Sequence, residues 1–417
     1  MADRDTVDRR NYRANLLEGG LYLAATPFFS PQTVLPVLVA GLGGGNLAVG
    51  AMAALNHAGV FLPQAFVARR VAALPWKKPW ALALGAAQRS MLLLLGLAVL
   101  AFGGARPGLT LALVLLLYAA NQLVLGAAAL VWFDLFAKVT PVAWRGRLVG
   151  WRNALGGGLS VIGGSLLTWL LATYAFPHSF AIALLVAFVL QLASLLVQLR
   201  YVELDASPTP PLRPLAAYLR DLPALLRRHR GFALFVAYAA GSYLAMMPVG
   251  FFAVHAVERF GAGAGAVGAF TLMLVTVQIV SAPLCGVLAD RHGNRAALTV
   301  ATGAVLAASV WALLAPTLVS YTLVFAFVGV NIGTEYMARH NMAAELAPEE
   351  RRALFVGAMN TALAPFCLSG LLGGVVAEVL GRRAVFAAGI VLSLASLAVL
   401  LLVVRDPRHR RPGHGSA

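Results

Sequence analysis

The sequence predicts an all-α membrane protein in which twelve transmembrane helices form two parallel repeats of six. Three observations carry that prediction. Of the 417 residues, 60% are hydrophobic and only 12% are charged, about half the ~25% charged residues of a soluble domain. The apolar residues gather into long runs, each close to the roughly 20 residues a helix needs to cross a bilayer and well beyond a barrel strand. Lys and Arg collect between the runs in short clusters that favour one side of the membrane. The same composition excludes disorder, coiled coil and collagen.

The chain opens with MADRDTVDRRNYR, which is polar and charged throughout. A cleavable signal needs a short apolar core near the start and a small-residue cleavage site. The first run is instead long enough to span, and it is expected to remain in the protein. Helices are predicted near 14–40, 46–69, 79–102, 108–136, 147–173 and 178–200. A second set is predicted near 231–256, 264–289, 296–315, 317–345, 352–379 and 383–404. Taking the N-terminus as cytoplasmic puts 25 of the 32 basic residues inside. Only Arg106, Arg259, Arg382 and Arg383 then lie outside, and Arg89, Arg152 and Arg339 fall within helices. Both termini are therefore expected in the cytoplasm of a cell-membrane protein. The net charge of +16 is a topology signal, with no nucleic acid as partner. Cys285 and Cys367 lie inside apolar runs, so no disulfide framework is implied.

The longest connection, 201–230, divides a first half (1–200) from a second (231–405), and a basic tail follows at 406–417. The connection begins ELDASPTPPLRP, whose prolines forbid a continuous helix. Leu215, Leu219, Leu222 and Leu226 then share one helical face, opposite Arg220, Arg227 and Arg228. Such a helix suits the surface of the anionic cytoplasmic leaflet.

The halves resemble each other. TPVAWRGRLVGWRN (140–153) aligns with APEERRALFVGAMN (347–360), matching Pro141 with Pro348, Arg145 with Arg352, Gly150 with Gly357 and Asn153 with Asn360. AVGA recurs at 48–51 and 266–269. Parallel repeats of this kind place a substrate site at their interface near mid-membrane.

In the second half, Gly286, Leu288, Asp290, Arg291, Gly293, Arg295 and Leu298 follow the pattern G-x-L-x-D-R-x-G-R-[KR]-x-x-L. Only Asn294 departs from it, standing where a basic residue is expected. With this motif the chain resembles the major facilitator superfamily, and the resemblance extends over the whole chain by helix count and repeat. It implies a cytoplasmic latch holding one access state, formed by Gly286, Asp290, Arg291, Gly293, Arg295 and Arg352, with Asp134, Arg145 and Arg147 as the first-half cluster. Arg291 and Arg295 are expected to bridge carboxylates. The matching first-half loop, VARRVAALPWKKP, lacks both the Asp and the Gly. The antiporter signature of the fifth helix is only partial, at Leu159, Ser160, Gly163 and Gly164. The glycines at 156–158, 163 and 164 suit close helix packing.

Polar residues inside the spans are rare and mark candidate substrate or coupling positions. Asn331, Glu335 and Arg339 form a stripe on helix ten, and Glu18 and Tyr22 share a face of helix one. His57 and Gln64 align on helix two. Asn121 and Gln122 lie on helix four, Tyr238 and Ser242 on helix seven, and Asn360 on helix eleven. Each has a structural alternative: Glu335–Arg339 as a packing ion pair, Glu18 as a solvated carboxylate, Arg89 as a snorkelling side chain, His57 as a helix contact. No phosphate-binding loop, metal-ligand spacing or nucleophile elbow is present, so no enzyme activity, cofactor or metal is expected. The resemblance implies a monomeric secondary transporter moving a small organic solute by alternating access, with protons as the candidate driving ion through Glu18 or Glu335. The rivals are a passive uniporter and a binding or assembly factor that kept the fold without transporting.

Overall fold

The computed structural model describes residues 4–207, 215–348 and 351–404. The prolines from 208 onward and the basic tail at 406–417 lie outside them. Among the described residues the chain is helical with no strand. The first span is α1 (Arg4–Ala25), a 3-10 turn (Thr26–Phe29) and α2 (Val34–Gly41). Next come α3 (Asn46–Ala72), α4 (Lys78–Phe102), α5 (Pro107–Val139), α6 (Val142–Thr173) and α7 (His178–Gln198). The connection contributes α8 (Leu215–Arg228). The seventh span is α9 (Arg230–Ala245), a 3-10 turn (Met247–Gly250) and α10 (Phe252–Phe260). Then follow α11 (Ala264–His292), α12 (Asn294–Leu314) and the short α13 (Leu318–Tyr321) leading into α14 (Leu323–Glu345). The chain closes with α15 (Arg352–Leu363), a 3-10 turn, α16 (Ser369–Leu380) and α17 (Arg382–Ala398), which ends in a π turn at Val399–Val403.

Eleven of these segments are long and apolar enough to cross a membrane, and the 27-residue α3 stands where the second span is predicted. The bounds agree with the apolar runs, with two differences. The charged segment before residue 14 is helical from Arg4 onward, with Asp5 in the first turn where the helix dipole favours an anion. The first, seventh and eleventh spans are broken by 3-10 turns that hold Pro27, Pro248 and Pro365. Proline lacks the N–H that would continue the helical ladder. The break of the first span recurs in the seventh, the same place in the second set of six, whereas the fifth span, α6, runs unbroken.

Contacts divide the chain into two compact units: Met1–Arg213 with Gly250–Thr276, and Pro214–Val249 with Val277–Ala417. In the first unit, the glycines of α6 bring α1 close. A Cβ at Gly156 would stand 2.5 Å from a Leu23 methyl, and one at Gly163 would stand 3.0 Å from the Ala24 carbonyl. In the same unit Gly268 of α11 abuts Thr168 of α6, and the Thr33 and Thr271 hydroxyls bond at 2.7 Å. A buried cluster of Ala14, Val71, Ala81, Val131, Leu135, Val139 and Tyr201 ties α1, α3, α4 and α5 together. The site described next is anchored on this cluster. In the second unit, α12 lies between α14 and α17, and α9 packs on α17.

Candidate functional site

Glu18 and Tyr22 stand four residues apart on α1 and project from one face. Arg152 of α6 reaches that face, its Nη2 lying 3.0 Å from Glu18 Oε2 and its Nη1 donating to Asn15 Oδ1 at 2.8 Å. The crossing requires glycine at position 19, since a Cβ there would stand 1.8 Å from Arg152 Nε. Arg152 also sits 4.3 Å from the centre of the Trp132 ring of α5, a cation–π contact. The Ser194 hydroxyl donates to the Glu18 carbonyl at 2.9 Å, and the Tyr201 hydroxyl donates to Glu18 Oε2 at 3.4 Å. Burial, with the Glu18 charge alongside, pushes the Tyr201 hydroxyl well above the ordinary tyrosine value, so it remains a donor.

Glu18, Tyr22, Trp132 and Arg152 line a cavity of 360 Å³ in the first unit, within the about 300–1,000 Å³ of small-molecule sites. Arg89 of α4 lies against it, 5.7 Å from the Tyr22 ring centre. Arg89 donates to the Gln191 carbonyl at 2.9 Å, the Gly85 carbonyl at 3.1 Å and Gln88 Oε1 at 3.0 Å. All three acceptors are neutral. Trp132 Nε1, Gln88 Nε2 and Asn15 Nδ2 are buried donors that find no acceptor among the described residues. The Gln88 amide lies beside the Tyr22 hydroxyl, but not in a geometry that satisfies it. Apart from Asn153 and Gln198 the remaining wall is apolar, and it includes Phe136, which stacks on Trp132 at 5.4 Å.

The sequence marked Glu18 and Tyr22 but not Trp132, Gln88 or Arg152 as site residues. Arg152 carried a usable signal, as one of three basic residues inside the spans. Trp132 carried none, because one more aromatic in an apolar run reads as packing.

The other candidates fall elsewhere. Gln122 Nε2 donates to the Tyr118 hydroxyl at 2.5 Å and to Asn56 Oδ1 at 3.3 Å, joining α3 to α5. Asn121 Nδ2 donates to the Gln88 carbonyl at 2.9 Å, which fixes α4 against α5 behind the cavity. His57 Nδ1 lies 3.4 Å from the Ala53 carbonyl of its own helix. The side chain of Gln64 lies outside the described residues. In the second unit, Arg339 is paired with Glu335, one turn away on α14, and donates to the Tyr243 hydroxyl at 2.9 Å. Asn331 donates to the Ala301 carbonyl at 3.0 Å, and the Tyr238 and Thr302 hydroxyls bond at 2.8 Å. Ser242 is buried beside them, and Asn360 is half-buried on α15. The Glu335 pair is thus packed between α9 and α14, away from either cavity described here.

Of the latch residues, Gly286, Asp290 and Arg352 meet around a second cavity of 390 Å³, together with Asn294, Asn341 and Glu345. Asn294, the departure from the pattern, donates to Glu345 Oε1 at 2.8 Å. Gly293 turns the chain into α12 with φ +88°, and Arg291 is exposed on the last turn of α11. Arg295 differs from expectation. It donates to the carbonyls of Leu400, at 3.1 Å, and Leu401, acceptors that a helix C-terminus leaves open. The first-half cluster also differs. Asp134 pairs with Lys77 at 3.4 Å, and Arg145 donates to the Ala137 and Thr140 carbonyls at the end of α5. Arg147 lies over the rings of Tyr12 and Trp144.

The acidic anchor here is one the sequence did not mark, Glu203. Its Oε1 accepts from Lys138 Nζ at 2.6 Å, and its two oxygens accept from the backbone N–H of Lys77 and Lys78 at 2.8–3.1 Å. Burial alone raises its pKa. The Lys138 bond and the two backbone N–H bonds outweigh burial and hold it below the ordinary carboxylate value.

The family model described as Major Facilitator Superfamily matches residues 19–365 and again 233–417. The chain belongs to this superfamily. A major facilitator protein is a multi-pass membrane transporter and not an enzyme, and that is the class of this chain. A search of curated proteins finds no match. Among solved structures, this facilitator chain is similar to a mutant form of nucleoside transporter NupG. The identity is 14%, with 93% of this chain and 99% of that one covered, and the TM-score is 0.68. A D-xylose-proton symporter gives 12% identity, 96% and 99% coverage and a TM-score of 0.69. A POT family transporter in complex with a thioalcohol-conjugated peptide gives 11%, 94% and 95%, and 0.69. At such identities these likenesses speak for the fold.

Proposed function

We propose that this facilitator is a secondary active transporter of a small organic solute, working by alternating access and coupled to protons through Glu18. The observation that carries this reading is the Glu18–Arg152 pair on the wall of a cavity of ligand size. The groups facing the carboxylate are Arg152 from α6, Arg89 from α4, Ser194 from α7, and Tyr201. With Glu18 ionised, Arg152 is held on it. Protonation removes the charge that holds Arg152 and frees its donors for a solute. Proton and solute then act on one guanidinium, which is the linkage a coupled carrier needs.

The reading retains the first six-helix half, the linker and the second six-helix half as functional divisions. Both termini face the cytoplasm of the cell membrane, and the protein works as a monomer. Glu335 serves packing in this account: its partner lies on the same helix, and both side chains are buried. The test is uptake by proteoliposomes with and without an inward pH gradient. Glu18→Gln is expected to abolish gradient-driven accumulation while leaving exchange partly intact. Glu335→Gln leaves Arg339 buried without its charge partner and lowers yield and every transport mode together. Full accumulation by a well-folded Glu18→Gln protein would remove Glu18 from the mechanism. Equal uptake with and without the gradient by the unaltered protein would favour the uniporter. No uptake of any solute would favour a binding or assembly factor.

A further inference from the structure

The charged groups lining the cavity around Glu18 are cationic on balance. Arg89 and Arg152 bring two positive charges and Glu18 brings one negative charge, so the lining is positive by one. Arg89 is 5% exposed and bonded only to neutral oxygens. Beside the two guanidinium groups, the Trp132 indole N–H and the Gln88 amide N–H are buried without acceptors, and both residues line the cavity. A buried donor left unmatched costs roughly 1–3 kcal/mol, so a ligand that supplies acceptors recovers that cost. Apart from Asn153 and Gln198, the rest of the wall is apolar or aromatic, and the Trp132 ring contacts those of Phe133 and Phe136.

We infer that this cavity takes an organic anion: a carboxylate or phosphate head directed at Arg89 and the unmatched N–H groups, on a flat apolar body laid along Trp132 and Phe136. The inference rests on the transport reading above and specifies its substrate class. A neutral polyol would leave the Arg89 charge buried without a counter-charge. A cation would add charge to a wall that is already positive. Tryptophan supports the assignment further, because its N–H is a donor only and serves no cationic ligand.

The test uses the full-length protein in neutral detergent and calorimetric titration with three probes of one shape: 2-naphthoate, 2-naphthamide and 2-naphthylmethylammonium. Naphthoate is expected to bind at least about ten-fold more tightly than the other two, as a charge-assisted bond would give. Arg89→Gln removes that preference. Trp132→Phe keeps the ring and removes the N–H, weakening naphthoate by about three- to ten-fold and leaving the ammonium probe unchanged. Should Arg89→Gln fail to fold, Trp132→Phe carries the test. Equal or tighter binding of the amide or the ammonium probe overturns the inference, as does naphthoate binding that neither variant alters.

An anionic lipid headgroup offers the same chemistry, so phosphatidylglycerol is added as a competitor. Displacement of naphthoate by stoichiometric lipid would make this a lipid site and overturn the substrate assignment. The two readings fail separately. Naphthoate binding without uptake of any anion by proteoliposomes retains an anion site and removes transport. Accumulation of a neutral or cationic solute that naphthoate does not inhibit retains transport and removes the anion.

Discussion

Glu203 shows how one carboxylate can replace an absent motif. The first-half loop has no Asp of its own, yet the start of α4 offers the unpaired backbone N–H groups that favour an anion. Glu203 fills that place from 126 residues away, taking the Lys77 and Lys78 N–H groups and the Lys138 ammonium. Its side chain is 3% exposed. Glu203→Gln is therefore expected to destabilise the protein by about 1.5–3 kcal/mol at neutral pH, the worth of bonds to a charged group. The sign with pH follows from its lowered pKa. The stabilisation is present above the ordinary value of 4.5 and disappears as pH falls through the depressed folded value. Apparent melting temperatures of the two proteins should differ by a constant amount above about pH 5 and converge below 4.5. A gap that stays constant down to pH 3 would show that Glu203 acts through shape alone. Sequence reading missed this residue for a physical reason. Glu203 stands in the polar opening of a linker, and nothing local indicates that the chain folds it back onto α4.

At the scale of elements, the apolar runs and the helices agree to within a few residues along most of the chain. Burial in lipid leaves the backbone no alternative there, so composition alone decides the element. The breaks were less legible. Pro27 and Pro248 were visible, but a proline inside a span kinks, breaks or merely loosens it according to what packs around it. The latch motif was readable because its turn is set locally. Gly293 has φ +88° and ψ 159°, a region that residues with a Cβ enter at a cost of about 1–3 kcal/mol. Gly293→Ala is expected to lose that amount in apparent stability. Gly303→Ala serves as the control, since it lies within α12 with nothing within 4 Å of the added Cβ, and it should be neutral or mildly stabilising. A Gly293→Ala protein as stable as the control would mean that the turn relaxes without strain. The partners of the motif were not local. Arg295 was expected on a carboxylate and lies on the carbonyls that end the last span, a choice that depends on where α17 stops.

For the whole molecule, the asymmetry of basic residues makes a claim that labelling can test. Clusters of Lys and Arg fix which loops stay on the side of synthesis, because moving each across the bilayer is costly. The connections after α2 and after α6 hold no Lys or Arg, whereas Arg69, Arg70, Lys77 and Lys78 cluster where α3 meets α4, Lys138, Arg145 and Arg147 where α5 meets α6, and Arg200 directly follows α7. With Cys285 and Cys367, both buried, replaced by alanine, single cysteines can be placed at exposed positions of known side. Gly45→Cys lies between α2 and α3, and Ala175→Cys between α6 and α7. In intact cells both are expected to react with a membrane-impermeant maleimide added outside. Ala206→Cys, exposed just beyond Glu203, is expected to react only after the membrane is permeabilised. This third site also bears on the mechanism. If Ala206→Cys is protected in intact cells, then Glu203 and Lys138, which pair beside it, lie on the cytoplasmic side. Labelling of Ala206→Cys from outside, with Gly45→Cys and Ala175→Cys protected, would invert the protein and put Asp134, Glu203 and Asp205 on the external side of Glu18.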